Sequence, residues 1–120
     1  MVSIVTPSYN CSKYIAQTIE SVLNQSYKNW EMIIVDDCST DNSIEIIERI
    51  IGDNSKIKLI KLGVNVGSAQ ARNAALKVAN GRFIAFLDSD DIWYSDKLEK
   101  QVLFMLEKVA PISFTSYELI

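Results

Sequence analysis

Apolar residues along this chain fall into short unbroken runs that alternate with stripes at helical spacing. Val2-Ser3-Ile4-Val5-Thr6 is a β-rich opening that Pro7 stops. Ile15, Ile19, Val22 and Leu23 follow at i, i+4, i+7 and i+8, one buried face of a helix, with Ser12 as its expected cap. Trp30 to Val35 is the second strand, with Met32-Ile33-Ile34-Val35 as its buried part, and Ile44, Ile47 and Ile51 mark a second helix that Gly52-Asp53-Asn54 breaks. Ile57 to Leu62 is a third strand whose partial alternation with lysines places it nearer a sheet edge. Ser68 is the expected cap of a helix of small residues, among them Ala71, Ala74 and Ala75, that can sit close to a sheet. Asn80-Gly81 suits a left-handed cap after it. Phe83-Ile84-Ala85-Phe86-Leu87 is an unbroken run, expected to be buried on both faces. Ser95 then heads a helix carrying Leu98, Val102, Met105, Leu106 and Val109, Pro111 closes it, and Ile112 to Tyr117 reads as a last strand.

Strands and helices therefore alternate, and the connections are short. Right-handed crossovers make the first four strands parallel. The fold class is α/β, a doubly wound sheet, and its simplest order is 3-2-1-4. That order sets the first and fourth strands side by side at the switch point, where open sheets bind ligands. Tyr9, Asp36-Asp37 and Asp88-Ser89-Asp90 all lie just past strand ends and are expected to line one crevice.

Composition narrows the chemistry. A length of 120 residues fits one domain, and 48% hydrophobic with 22% charged content is that of a soluble globular protein. The net charge of −3, the pI of about 4.9 and the lack of a basic run argue against nucleic acid as a partner. No signal peptide or membrane-spanning segment stands out, so a cytoplasmic location is the expectation. Cys11 and Cys38 lack metal-type spacing and are expected to be free thiols. The absence of histidine excludes Ser-His-Asp and Cys-His catalysis within these residues, and there is no Gly-Lys-Ser/Thr phosphate loop.

Asp88, Asp90 and Asp91 put three carboxylates within four positions. At ~4 Å and an effective dielectric of about 20, each close pair costs roughly 4 kcal/mol before relaxation. Such a group must be wet, partly protonated or holding a cation. Hard divalent cations suit it, because they are commonly held by one or two carboxylates plus substrate phosphates. The plainer alternative is a turn followed by a helix cap. Arg72 could face the same phosphates or be a solvated helix residue. Tyr9 could stack on a base or pack at its strand end, and Asp37 could accept hydrogen bonds from a base edge or cap a turn.

Four segments together carry a family resemblance. They are Val2 to Asn10, Ile34-Val35-Asp36-Asp37-Cys38-Ser39-Thr40-Asp41, Asn65-Val66-Gly67 with Ala71-Arg72-Asn73, and Leu87-Asp88-Ser89-Asp90-Asp91. In this order, over essentially the whole chain, they resemble glycosyltransferase family 2, whose members are inverting, metal-dependent sugar transferases with the GT-A fold. The resemblance implies a mostly parallel, Rossmann-like sheet and a nucleotide-diphosphate sugar donor, a UDP-sugar above all. It implies that Pro7 to Tyr9 pack around the base, that Asp37 reads the base and that Arg72 lies by the diphosphate. Asp88 lies toward the ribose and the metal's water shell, and Asp90 is the direct ligand of Mn2+ or Mg2+. The acceptor is a hydroxyl of a glycan or a lipid-linked sugar, as in polysaccharide biosynthesis.

Members of that family continue well past the point where this chain stops. Asp96, Glu99, Glu107 and Glu118 fall on a helix or the terminal strand and do not match the family's acceptor-deprotonating base. No catalytic residue is therefore expected within this chain, and the base is expected beyond Ile120. Residues 1–120 read as the nucleotide-sugar-binding part of a GT-A domain, truncated at the C-terminus, that binds donor and metal without transferring sugar on its own. The full-length parent is expected at the inner face of the membrane. Two rivals compete with this reading. A Mg2+-binding receiver domain of a signalling protein is also doubly wound, but its acid pair follows the first strand, and it gives no role to Thr6-Pro7-Ser8-Tyr9. A non-catalytic nucleotide-binding domain is the other.

Overall fold

The computed structural model describes residues 1–108. Eight elements follow in order: β1 (Val2–Ser8), α1 (Ile15–Leu23), β2 (Trp30–Asp36), α2 (Ser43–Ile51), β3 (Ile57–Lys61), α3 (Ser68–Leu76), β4 (Phe83–Phe86) and α4 (Lys97–Lys108). The expected last strand, Ile112 to Tyr117, lies outside the described residues. The four strands are parallel and ordered β3-β2-β1-β4, as short right-handed crossovers require. Thr6 pairs with Ile34, Pro7 with Val35 and Ser8 with Asp36, so the ends of β1 and β2 are level.

Alternation along the strands feeds two cores. Ile4, Met32 and Ile34 join Ile15 and Ile19 of α1, Ile47 of α2 and Leu98 of α4 on one face. Val5, Ile33 and Val35 pack on the other face with Ala71 and Ala75 of α3. The small side chains of α3 do let it lie close on the sheet. Every residue of β2 is buried, and burying one such isoleucine contributes about 1.5–3 kcal/mol. β3 is an edge strand and is half-exposed, as its lysines predict.

β4 is less buried than its sequence predicts. Phe83 and Ala85 are buried, but Ile84 and Phe86 are only half so. The strand ends the sheet among the described residues, so one flank lacks a neighbour.

The caps also differ from expectation. α1 starts at Ile15 with Tyr14 at its N-cap, while the Ser12 N–H is turned to the Asp41 carboxylate. Ser68 is the first helical residue of α3, preceded by Gly67 at φ 92°. Gly81 is not left-handed. Its requirement is steric, since a Cβ there would stand 2.6 Å from Ser3 N and 2.9 Å from Met1 O.

At this end of the sheet β2 buries a charge. Glu31 accepts hydrogen bonds from Ser3 Oγ at 2.6 Å and from the Asn80 N–H at 2.7 Å, with Lys58 Nζ at 3.4 Å. Among the described residues no helix is long and apolar enough to cross a membrane.

Candidate functional site

A cleft of about 440 Å3 opens past the C-terminal ends of the adjacent strands β1 and β4. Pro7, Tyr9, Asp37, Arg72, Asp88 and Asp90 all line it. These are the six residues assigned from the sequence, gathered from four separate segments.

Asp36 does not share the rim with Asp37. It is fully buried, and its carboxylate takes the Ser39 N–H at 2.8 Å and the Ser39 hydroxyl at 2.6 Å. Successive side chains at a strand end point to opposite sides, so only one of two adjacent aspartates can face the cleft. Asp37 is that one, yet it is only 4% exposed. Its Oδ1 accepts the Val66 N–H at 2.7 Å and its Oδ2 accepts the Gly67 N–H at 2.8 Å. The Asn65 amide adds a bond to the Asp37 carbonyl at 3.1 Å. Asp37 therefore fastens the loop that leads into α3, and α3 carries Arg72.

Arg72 stands one turn into α3. Its Nη2 donates to Asp88 Oδ1 at 3.2 Å, and its guanidinium carbon lies 5.8 Å from the centroid of the Phe86 ring. Its Nε is buried without a hydrogen-bond partner. An orphaned guanidinium donor at a cleft wall fits an anionic ligand.

The Asp91 N–H closes a turn onto the Asp88 carbonyl at 3.0 Å. This brings carboxylate oxygens of Asp88, Asp90 and Asp91 within 4.8 Å of one another, all on exposed residues. Burial first, and then the charges of Asp90 and Asp88, raise the Asp91 carboxyl above its ordinary value. An all-oxygen set of this kind, held together against its own repulsion, fits a hard divalent cation. Asp91, counted among the three carboxylates in the sequence but given no ligand role there, lies within the same cluster.

Other cleft residues were not assigned from the sequence. Tyr14 is half-exposed and lines the cleft, as Tyr9 does. Asn10, at φ 48°, accepts the N–H groups of Thr40 and Asp41 at its Oδ1 and joins the end of β1 to the loop after β2. The one signal for it was an asparagine just past a strand, a residue that tolerates positive φ. Cys11 is a buried free thiol with Ser8 Oγ 2.7 Å from its Sγ.

Comparison with known proteins bears on this geometry. Residues 3–117 match the model of "Glycosyl transferase family 2". The chain belongs to glycosyltransferase family 2. One relative, from Escherichia coli, is named UDP-Glc:alpha-D-GlcNAc-diphosphoundecaprenol beta-1,3-glucosyltransferase WfgD. It is 48% identical over 100% of this chain and 47% of its own length. The chain spans about half the length of the curated relatives it matches. Among solved structures, residues 1–349 of S. aureus TarS in complex with UDP-GlcNAc superpose with a TM-score of 0.82 and 36% identity, over 88% of this chain and 31% of that one. The mannosyltransferase PcManGT from Pyrobaculum calidifontis, in complex with GDP-Man and Mn2+, gives a TM-score of 0.82 at 27% identity, over 87% of this chain and 32% of that one. The parallel sheet of this family 2 chain is thus the GT-A fold of these glycosyltransferases.

Proposed function

We propose that this chain is the donor-binding part of an inverting, metal-dependent glycosyltransferase that uses a UDP-sugar. The observation that carries the reading is the convergence of Tyr9, Asp37, Arg72, Asp88 and Asp90 on one cleft. The exposed ring of Tyr9, with Pro7 beside it, offers a wall for a flat base, and Asp37 offers carboxylate lone pairs to its edge. Arg72 presents a guanidinium to the diphosphate. Asp90 and Asp88 would hold Mn2+ or Mg2+, with Asp91 within reach. When bound, the cation offsets the charge that builds on the leaving diphosphate. UDP as the donor nucleotide is favoured by the names of WfgD and of the TarS complex, and Mn2+ by that of PcManGT.

Inversion needs a base that takes the acceptor hydroxyl's proton on the side away from the diphosphate. The rim acids have other engagements: Asp37 with the loop before α3, Asp88 with Arg72, and Asp90 and Asp91 in the cation cluster. No acid of the described cleft is left for that role, so the base is proposed to lie in the part of the relatives' length that this chain does not span, and the acceptor is a glycan or a lipid-linked sugar of the kind WfgD's name specifies. A lipid-linked acceptor would bring the full-length enzyme to the inner face of the membrane.

Calorimetry of UDP binding tests the reading. UDP binds more tightly with Mn2+ than in chelator, and Asp90→Ala binds it equally in both. Equal affinity of the unaltered chain with and without metal overturns the metal-dependent site.

A further inference from the structure

The turn that carries the acids is exposed and bears three like charges, and the one Asp91 N–H to Asp88 carbonyl bond within it works against that repulsion. A second hold comes from α1. Ile15, Ile19 and Val22 are fully buried and fix this helix in the core. Thr18 lies on the same helix and is also fully buried. Its Oγ1 stands 2.7 Å from the Asp91 carbonyl oxygen and 2.9 Å from that of Ser89, with the Tyr14 carbonyl at 3.2 Å. A hydroxyl has one proton to donate, shared here among three acceptors. Ser89 and Asp91 flank Asp90, so this one hydroxyl reaches the carbonyls of the residues on both sides of it. Just past the end of α1, Gln25 holds the next stretch separately: its Nε2 donates to the Tyr94 carbonyl at 2.7 Å, and its Oε1 accepts the Leu98 N–H at 3.0 Å.

We propose that Thr18 is a positioning residue for the cation site, whose buried hydroxyl holds the Ser89 and Asp91 carbonyls and so fixes the Asp90 carboxylate relative to Asp88 and Asp91. Thr18 acts only through the backbone of the turn. The proposal rests on the reading of this acid cluster as the cation site. Losing the outer partner that orients a metal ligand weakens metal binding by about 10–100-fold.

The test is Mn2+ affinity, followed by electron paramagnetic resonance of free Mn2+ in the presence of UDP, alongside thermal unfolding. Thr18→Val removes the hydroxyl at nearly constant volume and should weaken Mn2+ binding at least about tenfold. Thr18→Ser keeps the hydroxyl and should retain the original affinity although it loses a methyl group. Gln25→Leu removes a buried anchor of the neighbouring stretch and should lower the melting temperature without changing Mn2+ affinity. Thr18→Cys replaces the valine variant if that one does not fold, with the same expected loss. Unchanged Mn2+ affinity in the valine or cysteine variant overturns the proposal, as does an equal loss in Gln25→Leu or a failure of serine to restore binding. If the unaltered chain binds no Mn2+, the cation reading itself falls and this proposal with it.

Discussion

Arg72 Nη2 stands 3.2 Å from Asp88 Oδ1, tying α3 to the acid turn after β4 along the wall of the cleft. The side chains are 37% and 55% exposed, so solvent screens the pair, and it contributes about 0–1 kcal/mol to stability. A pair this weak holds the guanidinium in place yet gives it up readily to a stronger anion. In the proposed donor complex the same exchange would free Asp88 for the cation.

Arg72→Met should therefore separate binding from stability. A hydrogen bond to a charged group contributes about 1.5–3 kcal/mol, so UDP affinity should fall roughly tenfold or more. The unfolding free energy should change by less than about 1 kcal/mol, the most that such an exposed pair supplies. Uridine, which lacks phosphate, should bind unchanged. Calorimetry with both ligands checks this, and an equal loss for uridine would remove Arg72 from the diphosphate.

Asp37 should show the opposite pattern, with binding and stability falling together. Its carboxylate satisfies the backbone N–H groups of Val66 and Gly67 from a buried position. Asp37→Ala leaves those donors without a partner, at a cost of about 1–3 kcal/mol each where water cannot reach them. Urea unfolding should register that loss, and UDP affinity should drop while Mn2+ still binds. A destabilised variant that binds UDP normally would make Asp37 a loop fastener and nothing more.

Glu31 sets a pH dependence far from the cleft residues. Burial raises its carboxyl, but Ser3 Oγ, the Asn80 N–H and Lys58 lower it by more, so it titrates below its ordinary 4.5. A carboxyl lowered on folding contributes stability that is complete above its unfolded value and lost as the pH falls through its folded one. Urea midpoints should thus decline more steeply for this chain than for Glu31→Gln as the pH falls below the ordinary 4.5, with a constant difference well above it. Parallel curves across that range would show that Glu31 is not the group responsible.

Much of the architecture was legible in the residues themselves. Runs such as Met32-Ile33-Ile34-Val35 and stripes such as Ile15, Ile19 and Val22 marked the elements because burial demands those periods. The order β3-β2-β1-β4 followed because short right-handed crossovers leave few other choices. The same topology carried Tyr9, Asp37, Arg72 and Asp90 to one cleft, since strand ends in a parallel sheet share a rim. Motif residues were found because their chemistry is written in side-chain type and local spacing.

Partnerships between distant residues were not legible, because no local pattern encodes them. The sequence set Asp36 and Asp37 at one rim; the end of β2 buried Asp36 against Ser39 and gave Asp37 to the loop before α3. Ser12 and Ser68 had the chemistry of caps, but chain direction at the ends of β1 and β3 decided where the helices began. Gly81 looked like a helix terminator; what requires it is the approach of Ser3 and Met1 from the other end of the chain. Thr18 carried no signal in the sequence, and only the packing of α1 under the acid turn set its hydroxyl against Ser89 and Asp91. Hydrophobic period is a local property and survives in the sequence, whereas a hydrogen bond between residues seventy positions apart exists only once the sheet has brought them together.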